Sequence, residues 1–295
     1  MQYDNRFHWD VYKKEVESMS KYKIGFIGCG NMGRAMMAGA LDTGWATANQ
    51  IAVHTHSQAT MERIADEYSV EICANNRTLA ANADIIVLAV KPNIYKEVLE
   101  DIRSVLCEGQ IVIAIAPAYT IASIACLVEN EGVRIARAMP NTPAQIGEGM
   151  TGLTFSANMD VSERELVQSF FESFGKVRVV REDTMAAVGS VSGSSPAFVY
   201  MVIEAMAEGA IKLGIPAKDA YTFAAQSVLG SAKMVLETGQ HPAVLRDAVC
   251  SAGGTTIEGV AVLEKDGLKA ALIEAMDQTA DKFLAMQEQA RRSLD

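Results

Sequence analysis

Two segments of this 295-residue chain place glycines beside groups that can hold an anion. The first, Gly28-Cys29-Gly30-Asn31-Met32-Gly33, fits G-x-G-x-x-G. In that pattern the first glycine permits a tight turn, the second lets a pyrophosphate approach the backbone, and the third lets a helix pack closely on a strand. Free N–H groups and the positive dipole end of the following helix complete a phosphate cradle. Glycines also mark plain turns. Here, however, the motif directly follows the apolar run Lys23-Ile24-Gly25-Phe26-Ile27 and opens an amphipathic helix, which is the context of a dinucleotide loop. The second segment, Ser251-Ala252-Gly253-Gly254-Thr255-Thr256, is a turn that flows into a helix. Its hydroxyls and backbone N–H groups can receive a carboxylate. On residue types alone it reads better as an ordinary helix start, with Thr255 or Thr256 as the cap and the glycines as turn residues.

A third position selects the cofactor. Sites that prefer NAD usually end the second strand on Asp or Glu, which holds the ribose 2′-OH. His54-Thr55-His56-Ser57 offers no acid to repel a 2′-phosphate, and Thr55, His56 and Ser57 can hydrogen-bond one. NADPH is therefore expected, with NADH possible. The two histidines have no third ligand in view, so no metal site is expected.

These residues need a scaffold, and the apolar pattern supplies one. Short runs rich in Ile and Val at residues 23–27, 51–53, 85–90, 110–115 and 133–136 suit strands of a parallel sheet covered on both faces. Helical patterns at 31–41, 58–68, 94–105 and 121–128 alternate with them, and strands at 151–156 and 177–180, around a helix at 163–174, finish the sheet. After residue 182 the strand signals stop. Helices are expected at 194–213, 216–237, 242–249, 256–265 and 268–291, rich in alanine and other small residues that let backbones approach closely. The fold class is thus α/β: an N-terminal Rossmann-type doubly wound sheet followed by an all-α C-terminal dimerisation domain. The expected divisions are an N-terminal extension at 1–20, a nucleotide domain at 21–181 and a helical domain at 182–295.

A formal net charge of −10 and the lack of a basic stripe argue against nucleic acid or an anionic membrane as partners. Five scattered cysteines, never spaced as C-x-x-C, point to reduced thiols in a cytoplasmic setting. The polar, acidic N-terminus is unlike a secretory signal, and no apolar run looks long enough to cross a bilayer.

Leu88-Ala89-Val90-Lys91-Pro92-Asn93, then Met139-Pro140-Asn141-Thr142-Pro143 with Gly147-Glu148-Gly149, and above all the stretch from Pro242 to Glu264 containing Ser251–Thr256, resemble the pyrroline-5-carboxylate reductases. The resemblance runs from about Tyr22 to the C-terminus. It implies NADPH-dependent reduction of Δ1-pyrroline-5-carboxylate to L-proline by a homodimer, possible as a higher assembly of dimers. Carried over residue by residue, it puts the substrate carboxylate on Ser251, Gly253, Gly254 and Thr255, and the ring nitrogen on Thr256, the catalytic residue and candidate proton donor, whose weak acidity points to positioning an already protonated iminium as its main task. It puts the cofactor on Ile27, Gly28, Cys29, Gly30, Asn31, Met32, Gly33, His56, Ser57, Asn76, Ala89, Val90, Lys91, Pro92, Ala116 and Pro117. Three departures from the family pattern stand out: Ser195 for a glycine, Ala252 for a proline, and Ala116-Pro117-Ala118 after the fifth strand. Imine reductases and β-hydroxyacid dehydrogenases pair a similar glycine loop with helices but lack the S-x-G-G-x-T turn. A non-catalytic NADP-sensing protein is the alternative of a different class.

Overall fold

The computed structural model describes residues 20–294; the expected extension at 1–20 lies outside them but for Ser20. Six parallel strands with intervening helices form most of one sheet: β1 (Tyr22–Ile27), α1 (Asn31–Asp42), β2 (Ile51–His54), α2 (Gln58–Tyr68), β3 (Glu71–Ile72), α3 (Asn76–Ala80), β4 (Ala83–Leu88), α4 (Tyr95–Ile102), β5 (Ile111–Ala114), α5 (Ile121–Val128) and β6 (Arg134–Met139). Then come β7 (Gly149–Phe155), α6 (Val161–Glu172) and β8 (Gly175–Val179). The eight strands lie in the order β3-β2-β1-β4-β5-β6-β7-β8. Every residue of β1, β4 and β5 is buried, which is why these strands read as unbroken apolar runs rather than alternating ones. The chain direction reverses once: β7 runs antiparallel to β6 and β8 parallel to β7. Between β6 and β7 there is only a short 3-10 turn, Thr142–Ile146, and a connection that short cannot make a parallel crossover.

Cores form on both faces. On one, Phe170 lies with ring centroids 5.0 Å from Trp45, 5.0 Å from Phe171 and 5.3 Å from Phe174. Burying each such ring contributes about 1.5–3 kcal/mol. On the other, Tyr95, Leu99, Ile102, Leu79 and Ile124 cover β4 and β5. The end of the last helix joins this second core through Met286, Ala290 and Leu294.

Beyond β8 the chain is helical: α7 (Met185–Val188), a π turn at Gly189–Ser194, α8 (Ser195–Lys212), α9 (Ala217–Thr238), α10 (Pro242–Val249), α11 (Thr255–Lys265) and α12 (Leu268–Arg292). Two compact units result. One runs to Gly193 and resumes at Thr279; the other is Ser194–Gln278. The boundary expected at 181–182 therefore differs from the compact division, because α7 and the last turns of α12 pack with the sheet. In the second unit the buried apolar residues are Ala207, Ala220 and Ala224, packed with Ile203, Ala210 and Ile215. Small side chains let helices approach closely. Larger ones stay uncovered, including Leu236 at 82%, Met201 at 68% and Phe223 at 66% exposure. One expectation is corrected here. The helical stretch Glu182–Lys212 is long and apolar enough to cross a membrane by length and composition.

Candidate functional site

The three motif glycines answer to three different constraints. Gly28 has φ +79°, and a Cβ there would lie 2.5 Å from Val90 Cγ1 and 2.8 Å from the Ala89 carbonyl oxygen. That contact is close because the Ala89 N–H bonds to the Ile27 carbonyl, clamping the end of β4 against the loop. A Cβ on Gly33 would meet Ala89 Cβ at 3.3 Å, so this glycine lets α1 sit down on the sheet. Around Gly30 there is nothing within 4 Å. It is the N-cap of α1 with no side-chain cap, so the helix opens with Asn31, Met32 and Gly33 presenting first-turn N–H groups. Open space above an uncapped helix start is what an approaching phosphate requires. Cys29, inside the loop, is buried, and burial pushes its thiol up to about 12. It packs rather than reacts.

Beside the loop, at the carboxyl ends of β1, β2 and β4, lies a cavity of about 480 Å³. Ile27, Gly28, His56, Asn76 and Val90, five of the residues assigned to the cofactor by resemblance, line it. Ser57 does not; its hydroxyl caps α2 by accepting from the Thr60 N–H, 3.3 Å. A capping hydroxyl keeps its own proton to donate, so the residue retains hydrogen-bonding capacity. Thr55 is buried and donates to the Ser57 carbonyl, 3.1 Å, which fixes the strand end. His54 also lines the cavity, with Nδ1 3.0 Å from the Cys73 carbonyl oxygen. Thr55 lines it too, and Met61, Ala74, Ile94, Glu97 and Val98 complete the wall; nothing in the spacing of these last five marked them in the sequence.

The two turns on the other side of β1 share a hidden support. Tyr95 is fully buried, donates its hydroxyl to the Leu88 carbonyl, and accepts from the N–H groups of Ile115 and Ala116, both at 3.1 Å. Burial raises its phenol above the ordinary range, so the proton stays on. Its ring stacks on Tyr119 at 5.0 Å. One side chain thus ties the Ala89-Val90-Lys91-Pro92 turn to the Ala116-Pro117 turn. Ala89 and Val90 are half-buried, Lys91 is exposed, and Pro92 opens a 3-10 turn. Sequence reasoning missed Tyr95, which looks like any apolar helix position.

Ser251, Gly253, Gly254, Thr255 and Thr256 stand together in the second unit. Gly253 has φ +67°, and the Gly254 N–H bonds to the Ser251 carbonyl, 3.1 Å, closing the turn. A Cβ on Gly254 would fall 2.3 Å from Ser251 Oγ, so only glycine lets that hydroxyl fold over the helix start. The N-cap of α11 is Gly254, without a side-chain cap. This corrects the reading in which Thr255 or Thr256 caps the helix. Both threonines lie in its first turn, exposed, with their hydroxyls unspent on capping.

Residues 182–286 match the family described as pyrroline-5-carboxylate reductase dimerisation, and residues 23–118 match NADP oxidoreductase coenzyme F420-dependent. The pyrroline-5-carboxylate reductase of Escherichia coli (strain K12) is 46% identical over 260 residues, covering 88% of this chain and 96% of that one. This chain belongs to the pyrroline-5-carboxylate reductase family. The reductase of Arabidopsis thaliana is 34% identical, covering 86% of this chain and 92% of its own. Among solved structures, the reductase from Coxiella burnetii superposes with a TM-score of 0.83 at 34% identity, covering 90% of this chain and 99% of that one. The pyrroline carboxylate reductase of Plasmodium falciparum, solved with NADP bound, gives a TM-score of 0.83 at 29% identity, covering 92% and 100%.

The M-P-N-T-P segment has a structural task in this fold. Asn141 of the M-P-N-T-P segment donates to the Ser192 carbonyl, 3.0 Å, and accepts from the Met150 N–H, 2.8 Å. It ties the end of β6 to the start of β7 and to the π turn. Of the three departures from the family pattern, Ser195 simply begins α8 and Ala252 sits exposed in the turn.

Proposed function

We propose that this chain reduces Δ1-pyrroline-5-carboxylate to L-proline with NADPH, the last step of proline biosynthesis. Identity of 46% to a reductase across 88% of the chain carries the reading. The sites fit it: an open helix start at Gly30 for a pyrophosphate, and an uncapped one at Gly254, with the Ser251 hydroxyl beside it, for a small carboxylate. Asn31, Met32 and Gly33 hold the pyrophosphate through backbone N–H groups. His56, Ser57 and Asn76 hold the adenosine end, and the missing acid at residues 54–57 favours a 2′-phosphate, with NADH a poorer fit. When bound, NADPH supplies the hydride. Ser251 and the turn N–H groups hold the substrate carboxylate. Thr256 Oγ hydrogen-bonds the ring nitrogen and keeps the protonated C=N bond oriented, so that carbon gains the hydride while nitrogen keeps its proton. A threonine hydroxyl is too weak an acid to do more.

The working form is a homodimer, possible in a higher assembly of dimers. The uncovered apolar side chains of the second unit support this, since that much exposed apolar surface marks an interaction site. They meet a second copy, not lipid, and the net charge of −10 disfavours nucleic acid. The setting is cytoplasmic, in keeping with five free cysteines. Purified protein should oxidise NADPH with pyrroline-5-carboxylate faster than with a panel of other cyclic imines, and yield proline. Folded protein that binds NADPH without turnover would favour the NADP-sensing reading instead.

A further inference from the structure

Arg137, on β6, is 1% exposed, a costly place for a guanidinium. Its Nη1 lies 3.3 Å from Glu182 Oε1, a carboxylate oxygen that also accepts from the Ile121 N–H at 2.7 Å. Its Nη2 donates to the Pro117 carbonyl, 2.9 Å, and its Nε is buried with no hydrogen-bond partner. An aliphatic residue would fill this site without stranding an N–H group. What arginine adds is the pair with Glu182 and, beyond it, reach to Pro117. The same carbonyl accepts from Gln287 Nε2, 3.2 Å, brought by the returning end of α12. Two side chains from elements remote in sequence thus converge on one oxygen. Proline has a fixed φ and no N–H, so within that residue the carbonyl is the only backbone handle on the turn.

The turn's place in the sheet says which part of the cofactor it serves. With β3-β2-β1 on one side of the switch point and β4-β5-β6 on the other, the adenosine end belongs over β2 and the nicotinamide end over β5. Pro117 follows β5. We propose that Arg137 and Gln287 are positioning residues that fix the Pro117 carbonyl and thereby the turn facing the nicotinamide half of the cofactor. This rests on the cofactor reading above. Neither residue touches the reacting atoms; each acts by holding the turn.

Gln287→Leu removes one donor at nearly equal volume, and α12 keeps its hold through Met286, Ala290, Leu294 and the bond from Lys96 Nζ to the Ser293 carbonyl, 2.8 Å. Arg137→Lys keeps a charge beside Glu182 but shortens the reach to Pro117. Affinity is read by fluorescence titration with two probes, NADPH and adenosine 2′,5′-bisphosphate, the latter filling only the adenosine end. Each variant should weaken NADPH about 3- to 10-fold, the worth of one hydrogen bond, and leave adenosine 2′,5′-bisphosphate unchanged. Equal weakening of both probes would mean a merely structural role and overturn the proposal; so would unchanged NADPH affinity in both variants. Wild-type protein that binds neither probe would overturn the cofactor reading and this proposal with it.

Discussion

Gly30→Ala separates binding from folding more cleanly than any other change in the glycine loop. Gly30 has φ −72°, which alanine adopts freely, and a Cβ there meets nothing within 4 Å. The folded protein loses only the preference of an N-cap for glycine over alanine, about 0.5–1 kcal/mol. The melting temperature should fall by no more than about 4 °C. A methyl group above the helix start would nevertheless hold the pyrophosphate away from the N–H groups of Asn31, Met32 and Gly33. Losing one hydrogen bond to a charged group costs about 1.5–3 kcal/mol, so NADPH should bind roughly 10- to 150-fold more weakly. Gly28→Ala is the contrast. Its φ of +79° costs a side chain about 1–2 kcal/mol, and a Cβ 2.8 Å from the Ala89 carbonyl forces the backbone to move. That variant should melt well below wild type before any ligand is added. Calorimetry and NADPH titration of the two variants check this. Wild-type NADPH affinity in Gly30→Ala would refute a pyrophosphate over Gly30, and a large loss of stability there would refute the open space.

Thr256→Ala should lower kcat and kcat/KM together, while Ser251→Ala should mainly raise the KM for pyrroline-5-carboxylate; steady-state kinetics decide, and normal turnover in Thr256→Ala would remove its role. Ser57→Asp puts a negative charge at the end of β2 and should shift preference from NADPH toward NADH, read as the ratio of the two kcat/KM values. If the dimer shares its active sites between chains, Gly30→Glu and Thr256→Ala, each inactive alone, should recover about a quarter of wild-type activity when mixed under conditions of verified exchange. No recovery would show each site to be built from a single chain.

The sheet was readable because β1, β4 and β5 are buried on both faces and so carry unbroken Ile/Val runs. By contrast, β3, two residues long, and α3, five long, gave no period to detect. Placement of the glycine loop followed from residue types and context alone, whereas the Ser251–Thr256 turn needed family resemblance. Its helix start is distinguished by the absence of a cap, which a sequence containing two threonines at that point conceals. Tyr95, Arg137 and Gln287 were invisible for another reason. Each acts on backbone carbonyls or N–H groups contributed by distant elements, and no local pattern encodes such a partner.

The return of α12 to the first unit has a consequence for how the protein is made. Met286, Ala290 and Leu294 seal the core beneath Tyr95, and Gln287 bonds to Pro117, yet they follow the whole helical unit in the sequence and leave the ribosome after it. Most of the nucleotide unit can assemble during synthesis, but one face of it stays open until the helical unit has also emerged. A chain stopped after Gly193 would hold every strand of the sheet and still expose an apolar groove along α4 and α5. Surveillance by chaperones and proteases would therefore read from that groove whether synthesis has reached the end of α12, before any second copy has been met.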